Sequence, residues 1–449
     1  MRHQTPFRIY VQTLRLCNRQ VRSYLCTEGL SGFTVDGGIY AVLFNLYLLR
    51  LGYGPTFIGA VNAAGLLTFG LWSLPSGLLG GRWGSQRMLI VGLGMMAVGC
   101  SVLPLAECMP PTWQARWLIT TYVCMHMGLA LHIANATPFV MAATSATERH
   151  HAFALASALW FLAGFVGNLL GGWLPTLFVV SLRTSLHQPA PYRYTLALAG
   201  LCLIPAILAM CSARPARGSG MPQQRRQRGR IPYGRIGWLA SARLLQVMGA
   251  GSVFLFLNVY LDAVLGAQTA IIGTLLALGR LGAVPAALLA PLLVMRWNKR
   301  RLIIGATTGI ALSLMPLVLL PHWGAAMFSF IGVVALTAVR IPTFLVYSME
   351  AVAPEHRTIM SGANEMANGL GFAIIGLGGG YIITAFGYRP LFLLSACLTA
   401  VGTLVFWWCC HEGTADSSVK ESVNHTDSAD RVAPTTTGFP PLEPIGSRC

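Results

Sequence analysis

Twelve apolar stretches, each long enough to cross a bilayer, constrain this chain more than any other feature. They lie at residues 30–49, 56–79, 88–106, 115–141, 153–180, 194–212, 238–265, 269–295, 302–320, 323–347, 359–385 and 389–410. Each holds 19 to 28 residues, and about 20 suffice to span the hydrocarbon core. Backbone polar groups cannot stay unpaired in lipid, so each stretch is expected to be one helix. Charged residues make up only 10% of the 449, against about 25% in soluble domains. The expected fold class is an all-α membrane protein with twelve transmembrane helices, spans 1 to 12.

The basic residues set the orientation. With residues 1–24 taken as a cytoplasmic N-terminal segment, segments on that side carry twenty Lys and Arg before the tail is counted. The opposite side carries five: Arg50, Arg116, Arg183, Arg193 and Arg389. This positive-inside bias places both termini in the cytoplasm, in a multi-pass protein of the plasma membrane. The N-terminal residues are polar and basic, and the apolar stretch after them is of span length, unlike a cleavable signal. The net charge of +17 is thus a topology signal, and nucleic acid is excluded as a partner. The eleven cysteines are scattered without metal-ligand spacing and read as small apolar residues. No metal, no cofactor and no enzyme motif is expected. The cluster Glu148-Arg149-His150-His151 reads as the loop opening a helix.

The chain repeats. Leu43-Phe44-Asn45-Leu46-Tyr47-Leu48 in span 1 matches Phe256-Leu257-Asn258-Val259-Tyr260-Leu261 in span 7. Ile58-Gly59 returns as Ile272-Gly273, and Arg82-Trp83 as Arg296-Trp297, at an offset of 213 to 214 residues. Gly171-Gly172 in span 5 corresponds to Gly379-Gly380 in span 11. A basic linker, residues 214–236, separates the copies. The expected domains are two pseudo-symmetric six-helix bundles, 25–213 and 237–410, followed by a disordered cytoplasmic tail at 411–449. Parallel six-helix repeats are a transporter architecture with the substrate at their interface.

In this arrangement the chain resembles the major facilitator superfamily over about residues 25–410. Between spans 2 and 3, Gly77, Leu79, Arg82, Gly84 and Arg87 fit the family loop G-x-L-x-D-R-x-G-R-R. Gly81 stands where the pattern has its acid, a residue that in the family helps latch the cytoplasmic gate. Gly167-Asn168-Leu169-Leu170-Gly171-Gly172 resembles the antiporter motif G-P-x-x-G-G, with Asn168 in place of proline. Glu148-Arg149 and Glu355-His356-Arg357 resemble the paired turns after spans 4 and 10. The resemblance implies that spans 1, 4, 7 and 10 line a central cavity, flanked by 2, 5, 8 and 11. Gly77, Arg82, Gly84, Arg87, Gly167, Gly171 and Gly172 are implied as gating or structural positions.

Ionisable groups inside the membrane cost about 2.5–3.5 kcal/mol each, so each needs a partner or a wet cavity. Asp36 in span 1 is the expected proton carrier or cation contact, with Glu28 nearer the cytoplasmic end. His132 and Asn135 share a face of span 4 expected to meet Asp36, with His126 a turn and a half away. Arg280 in mid-span 8 is expected to hold an anionic group or Asp36. Asn258 and Tyr260 add polar groups to span 7. Arg340 and Glu365 lie at similar depth on spans 10 and 11 and are expected to pair for structure or gating.

The expected function is secondary active transport of a small-molecule substrate across the lipid bilayer, coupled to protons or another ion. The glycine motif and apolar cavity spans favour proton-coupled efflux of amphipathic compounds. Uptake of a sugar or organic anion is the alternative in which Arg280 carries more weight. A non-transporting membrane receptor or assembly factor on the same scaffold is the reading from another class.

Overall fold

The computed structural model describes residues 19–35, 37–144, 146–213, 233–353 and 356–429. Asp36, Glu355, linker residues 214–232 and the terminal residues 430–449 lie outside the described residues. The described residues up to Phe406 form one compact unit, which holds the spans below except the last two residues of the twelfth. Residues from 407 onward form a second unit, helical as far as Ala429. The helical path thus includes residues 411–429, where sequence composition suggests no regular structure.

Among the described residues, twelve helical spans are long and apolar enough to cross a membrane. They are Arg19–Arg50, Pro55–Trp83, Ser85–Cys108, Pro111–Ala143, Leu155–Leu182, Ala190–Ser212, Tyr233–Ala263, Thr269–Ala287, Lys299–Leu319, Trp323–Glu350, Ile359–Phe386 and Tyr388–Trp408. No strand occurs among the described residues. Large apolar side chains such as Val98, Leu177, Leu208, Leu312 and Phe328 face outward, while Asn45, Asn62, His132, Gln246 and Arg340 are buried. Lipid solvates the former and the latter need partners inside, the arrangement a bilayer enforces.

Span 1 departs from the expectation of one unbroken helix. It consists of two pieces, Arg19–Thr34 and Ile39–Arg50, with Val35, Gly37 and Gly38 outside both helices. Gly37 has φ +90° in this break, a conformation that a side chain would strain. Unwound backbone at membrane depth is tolerated where it is enclosed by protein or lines a cavity. Both conditions hold: Val35 and Gly37 are buried and line the cavity described below.

The packing of the spans repeats between the halves. Span 3 packs on 4, 2 on 4, and 1 on 5; in the second half 9 packs on 10, 8 on 10, and 7 on 11. Between the halves, span 2 packs on 11, 5 on 8, and 1 on 7. Exchanging the halves maps this set onto itself, the signature of two six-helix bundles related by a pseudo-twofold. The glycines repeat the same contact. A methyl group on Gly59 would fall 2.2 Å from the Gly376 carbonyl oxygen, and one on Gly273 would fall 2.6 Å from the Asn168 carbonyl oxygen. Gly380 and Gly172 complete the two contacts. Even the turns match: Gly84 between spans 2 and 3 has φ +95°, and Asn298, its counterpart between spans 8 and 9, has φ +65°.

Candidate functional site

A cavity of about 410 Å³ lies between the two halves, within the range usual for small-molecule sites. Spans 1, 2, 4 and 5 line it from one half and spans 7, 8, 10 and 11 from the other. This is the arrangement that the family resemblance implies.

The end of the molecule that carries Arg50 is sealed above the cavity. Asn45 Nδ2 donates to the Leu255 carbonyl at 2.6 Å, and Asn258 Nδ2 donates to the Val42 carbonyl at 3.0 Å. Arg50 at the end of span 1 pairs with Asp262 at the end of span 7 and also donates to the Leu186 carbonyl at 2.9 Å. Tyr192 and Thr269 share a hydrogen bond of 2.8 Å, as do Thr56 and Thr384 at 2.7 Å. All of these join one half to the other, except the bond to Leu186. At the opposite end the loop between spans 2 and 3 is exposed at Gly81, Arg82, Trp83 and Arg87. Gln86 ties it to the end of span 6 in its own half, through the Met210 and Ala213 carbonyls. Gly77, Gly81 and Gly84 have open space around them.

The N-terminal wall is aromatic. Phe44 stacks on Tyr122 with ring centroids 4.2 Å apart, and Tyr122 lies 4.3 Å from the His126 ring. The Tyr122 hydroxyl donates to Asn62 Oδ1 at 3.1 Å, and Asn62 Nδ2 donates to Asn45 Oδ1 at 2.8 Å. His126 Nδ1 sits 3.0 Å from the Tyr122 carbonyl. A carbonyl only accepts, so in the neutral ring Nδ1 carries the hydrogen and Nε2 is left as an acceptor.

Among the described residues, charge enters from the C-terminal half, in part beside the break in span 1. The Arg280 guanidinium packs against Gly37, where a methyl group would fall 2.0 Å from Nη2. It stands 5.0 Å from the centre of the Trp160 ring, a cation–π contact. Arg243 on span 7 reaches Asn368 Oδ1 at 3.5 Å and lies 5.6 Å from the Phe344 ring centre. Arg340 on span 10 donates to Gln246 Oε1 at 3.1 Å. Glu365 lies in electrostatic range of Arg243.

The residues singled out in the sequence divide on this geometry. Arg280, Arg340 and Glu365 line the cavity, and so does His126. Arg340 and Glu365 form no direct ion pair among the described residues; Arg340 donates instead to Gln246 of span 7. His132 and Asn135 are not among the lining residues. His132 Nε2 lies 3.1 Å from Glu28 Oε1, while Asn135 Nδ2 donates to the Ser76 carbonyl at 3.1 Å and fills the space over Gly80. Though they share a broad face of span 4, the 60° between them sends one to span 1 and the other to span 2. Asn258 sits in the seal, and Tyr260 packs on Tyr388 and Phe392 with centroids 5.3 and 5.5 Å away. Gly167, Gly171 and Gly172 lie at close backbone approach to Phe33, Ile39 and Gly273. Asp36 is outside the described residues; Gly37, its neighbour in sequence, faces Arg280.

Sequence reasoning did not single out Arg243, Tyr122, Asn62 or Trp160. Arg243 carried a usable signal, a full charge within the apolar run of span 7. The other three resemble ordinary membrane-helix residues until their neighbours are known.

The chain belongs to the Major Facilitator Superfamily, whose family model matches residues 29–364 and 239–442. No curated protein matches its sequence. Solved structures share the fold. A mutant of the nucleoside transporter NupG is 12% identical, with 87% of this chain and 100% of that one covered at a TM-score of 0.66. A bacterial homolog of the human lysosomal transporter Spinster, inward-facing and occupied, is 14% identical, with 91% and 98% covered at 0.67. The xylose transporter XylE from E. coli, in an inward-open conformation, is 13% identical, with 89% and 95% covered at 0.65. The protein is a multi-pass membrane transporter of small solutes, not an enzyme.

Proposed function

We propose that this protein is a secondary active transporter that works by alternating access. Its two bundles rock about the contact of spans 1 and 7. The observation that carries this reading is a cavity between related halves beneath a seal in which Asn45 and Asn258 play equivalent parts. The positive-inside bias supports a cytoplasmic location for the exposed loop between spans 2 and 3, and for both termini, in the plasma membrane. The described state is then closed to the outside. Asp36, next to the cavity-lining Gly37 in sequence, is the proposed proton-carrying carboxylate, and Arg280 its proposed electrostatic counterpart. Eight aromatic side chains in the lining support amphipathic substrates, as proton-coupled efflux would require.

A second reading, uptake of an organic anion, is favoured by one observation: Arg243, Arg280 and Arg340 all line the cavity. Proteoliposomes with an imposed pH gradient test both readings. Uphill solute movement that is lost with Asp36→Asn is expected, and its direction relative to the gradient separates efflux from uptake. If no solute moves faster than in empty vesicles, while the basic linker 214–236 binds a partner, a receptor role replaces transport.

A further inference from the structure

Among the described residues of the C-terminal half, three arginines and one carboxylate line the cavity, and two guanidinium nitrogens, on Arg243 and Arg340, lack an acceptor. Arg243 and Arg340 are 8% and 1% exposed, and the Arg243 charge acts on Arg340. A guanidinium carries five N–H donors and stays charged in proteins. Arg340 gives one bond to Gln246 at 3.1 Å, and its Nε is buried without an acceptor. Arg243 reaches Asn368 at 3.5 Å, and its Nη1 is buried without an acceptor. Among the described residues, Glu365 is the carboxylate lining the cavity, and no direct ion pair joins it to either arginine. Among the described residues, these two buried cations share a cavity wall with one carboxylate, with donors left over.

Unpaired charge at membrane depth is costly. The complementary occupant is an anion whose oxygens accept those donors, since carboxylate, sulfonate and phosphate groups suit the planar fork of arginine. Much of the rest of the wall is apolar. Val247, Ala250, Phe254 and Phe372 line it in the same half, and Phe44 and Tyr122 line it from the other half. We propose that the transported solute is an amphipathic organic anion, its acid group seated between Arg243 and Arg340 and its apolar body against the aromatic wall. This rests on the transporter reading above but not on the direction of transport. It separates the aromatic lining, which holds the body, from the arginines, which select the sign of charge.

The test compares probes that share one body and differ in charge. Purified full-length protein is titrated with 1-naphthoate, naphthalene-1-sulfonate, 1-naphthamide and 1-naphthylmethylammonium, following thermal unfolding. The two anions are expected to raise the midpoint and the amide and ammonium compounds are not. Arg243→Gln and Arg340→Gln are each expected to weaken anion binding at least tenfold. Arg243→Lys and Arg340→Lys, which keep the charge and lose the fork, serve if the Gln variants do not fold, and are also expected to weaken it. Binding of the ammonium or amide probe as tight as the anions overturns the proposal, as does anion binding unchanged in these variants or no anion binding. Flux of the same probes in proteoliposomes keeps the two readings apart. Anions that bind without crossing count against transport and leave the seat standing. Ammonium flux without anion binding counts against the seat and leaves transport standing.

Discussion

Asn45 and Asn258 make the same bond in opposite directions. Asn45 donates to the carbonyl of Leu255, three residues before Asn258, and Asn258 donates to that of Val42, three residues before Asn45. Their own amides come within 3.5 Å of each other, across 213 residues of sequence. A pair that is self-complementary in this way sits on the pseudo-twofold, so each bundle supplies an equivalent half of this part of the seal.

Breaking one side of this pair leaves a buried carbonyl without its donor, at a cost of about 1–3 kcal/mol. Asn45→Ala and Asn258→Ala are expected to lower the thermal unfolding midpoint in detergent to similar extents. The double variant should lose less than the sum, because the two share one contact. Full additivity in that cycle would mean that the asparagines act independently.

Arg50 and Asp262 close the outermost part of the seal, with side chains 14% and 11% exposed. Hydrogen bonds to charged groups contribute about 1.5–3 kcal/mol. Asp262→Asn is expected to shift the population toward the outward-open state by about tenfold or more. Labelling of Thr56→Cys, at the edge of the seal, by an impermeant thiol reagent reads that shift. Equal labelling rates with and without Asp262→Asn would show that the ion pair is not a latch.

The glycine contacts between the halves leave no room for side chains. Gly273→Leu would place its first carbon 2.4 Å from the Gly172 Cα, and overpacking of this kind costs about 1–3 kcal/mol. The variant is expected to unfold at lower temperature and to transport poorly. Gly305→Leu, which meets open space, is the matched control and should change neither. A Gly273→Leu protein that transports normally would place the rocking surface elsewhere.

The two histidines of span 4 are expected to part company. His132→Leu removes the partner of Glu28 outside the cavity, so stability should fall by about 1–3 kcal/mol while ligand affinity holds. His126→Leu removes an acceptor from the cavity wall, so affinity should change more than the unfolding midpoint. Thermal unfolding with and without ligand separates these effects, and a reversed pattern would exchange their roles.

Much of this was legible in the sequence because lipid imposes simple rules. Span lengths, the repeat of Asn45 in Asn258 and that of Gly59 in Gly273 follow from hydropathy and local motif, which the linear chain carries intact. The break in span 1 left a weaker mark, since Gly37 and Gly38 are common enough residues in membrane helices. Pairing did not follow. Depth along adjacent spans pointed to Arg340 and Glu365 as partners, yet depth fixes only one coordinate, and rotation of each helix about its axis fixes the other. That rotation sends His132 to Glu28, Asn135 to Ser76 and Arg340 to Gln246.

The sequence by itself determined twelve helices, their pairing into two related bundles and a membrane setting, because the burial of backbone and apolar groups in lipid depends on composition and order along the chain. The tertiary structure alone decided which polar groups face the cavity and which merely join helices. It placed Arg243 beside Arg340 and moved Asn258 into the seal, because those outcomes depend on packing angles that many distant residues set together.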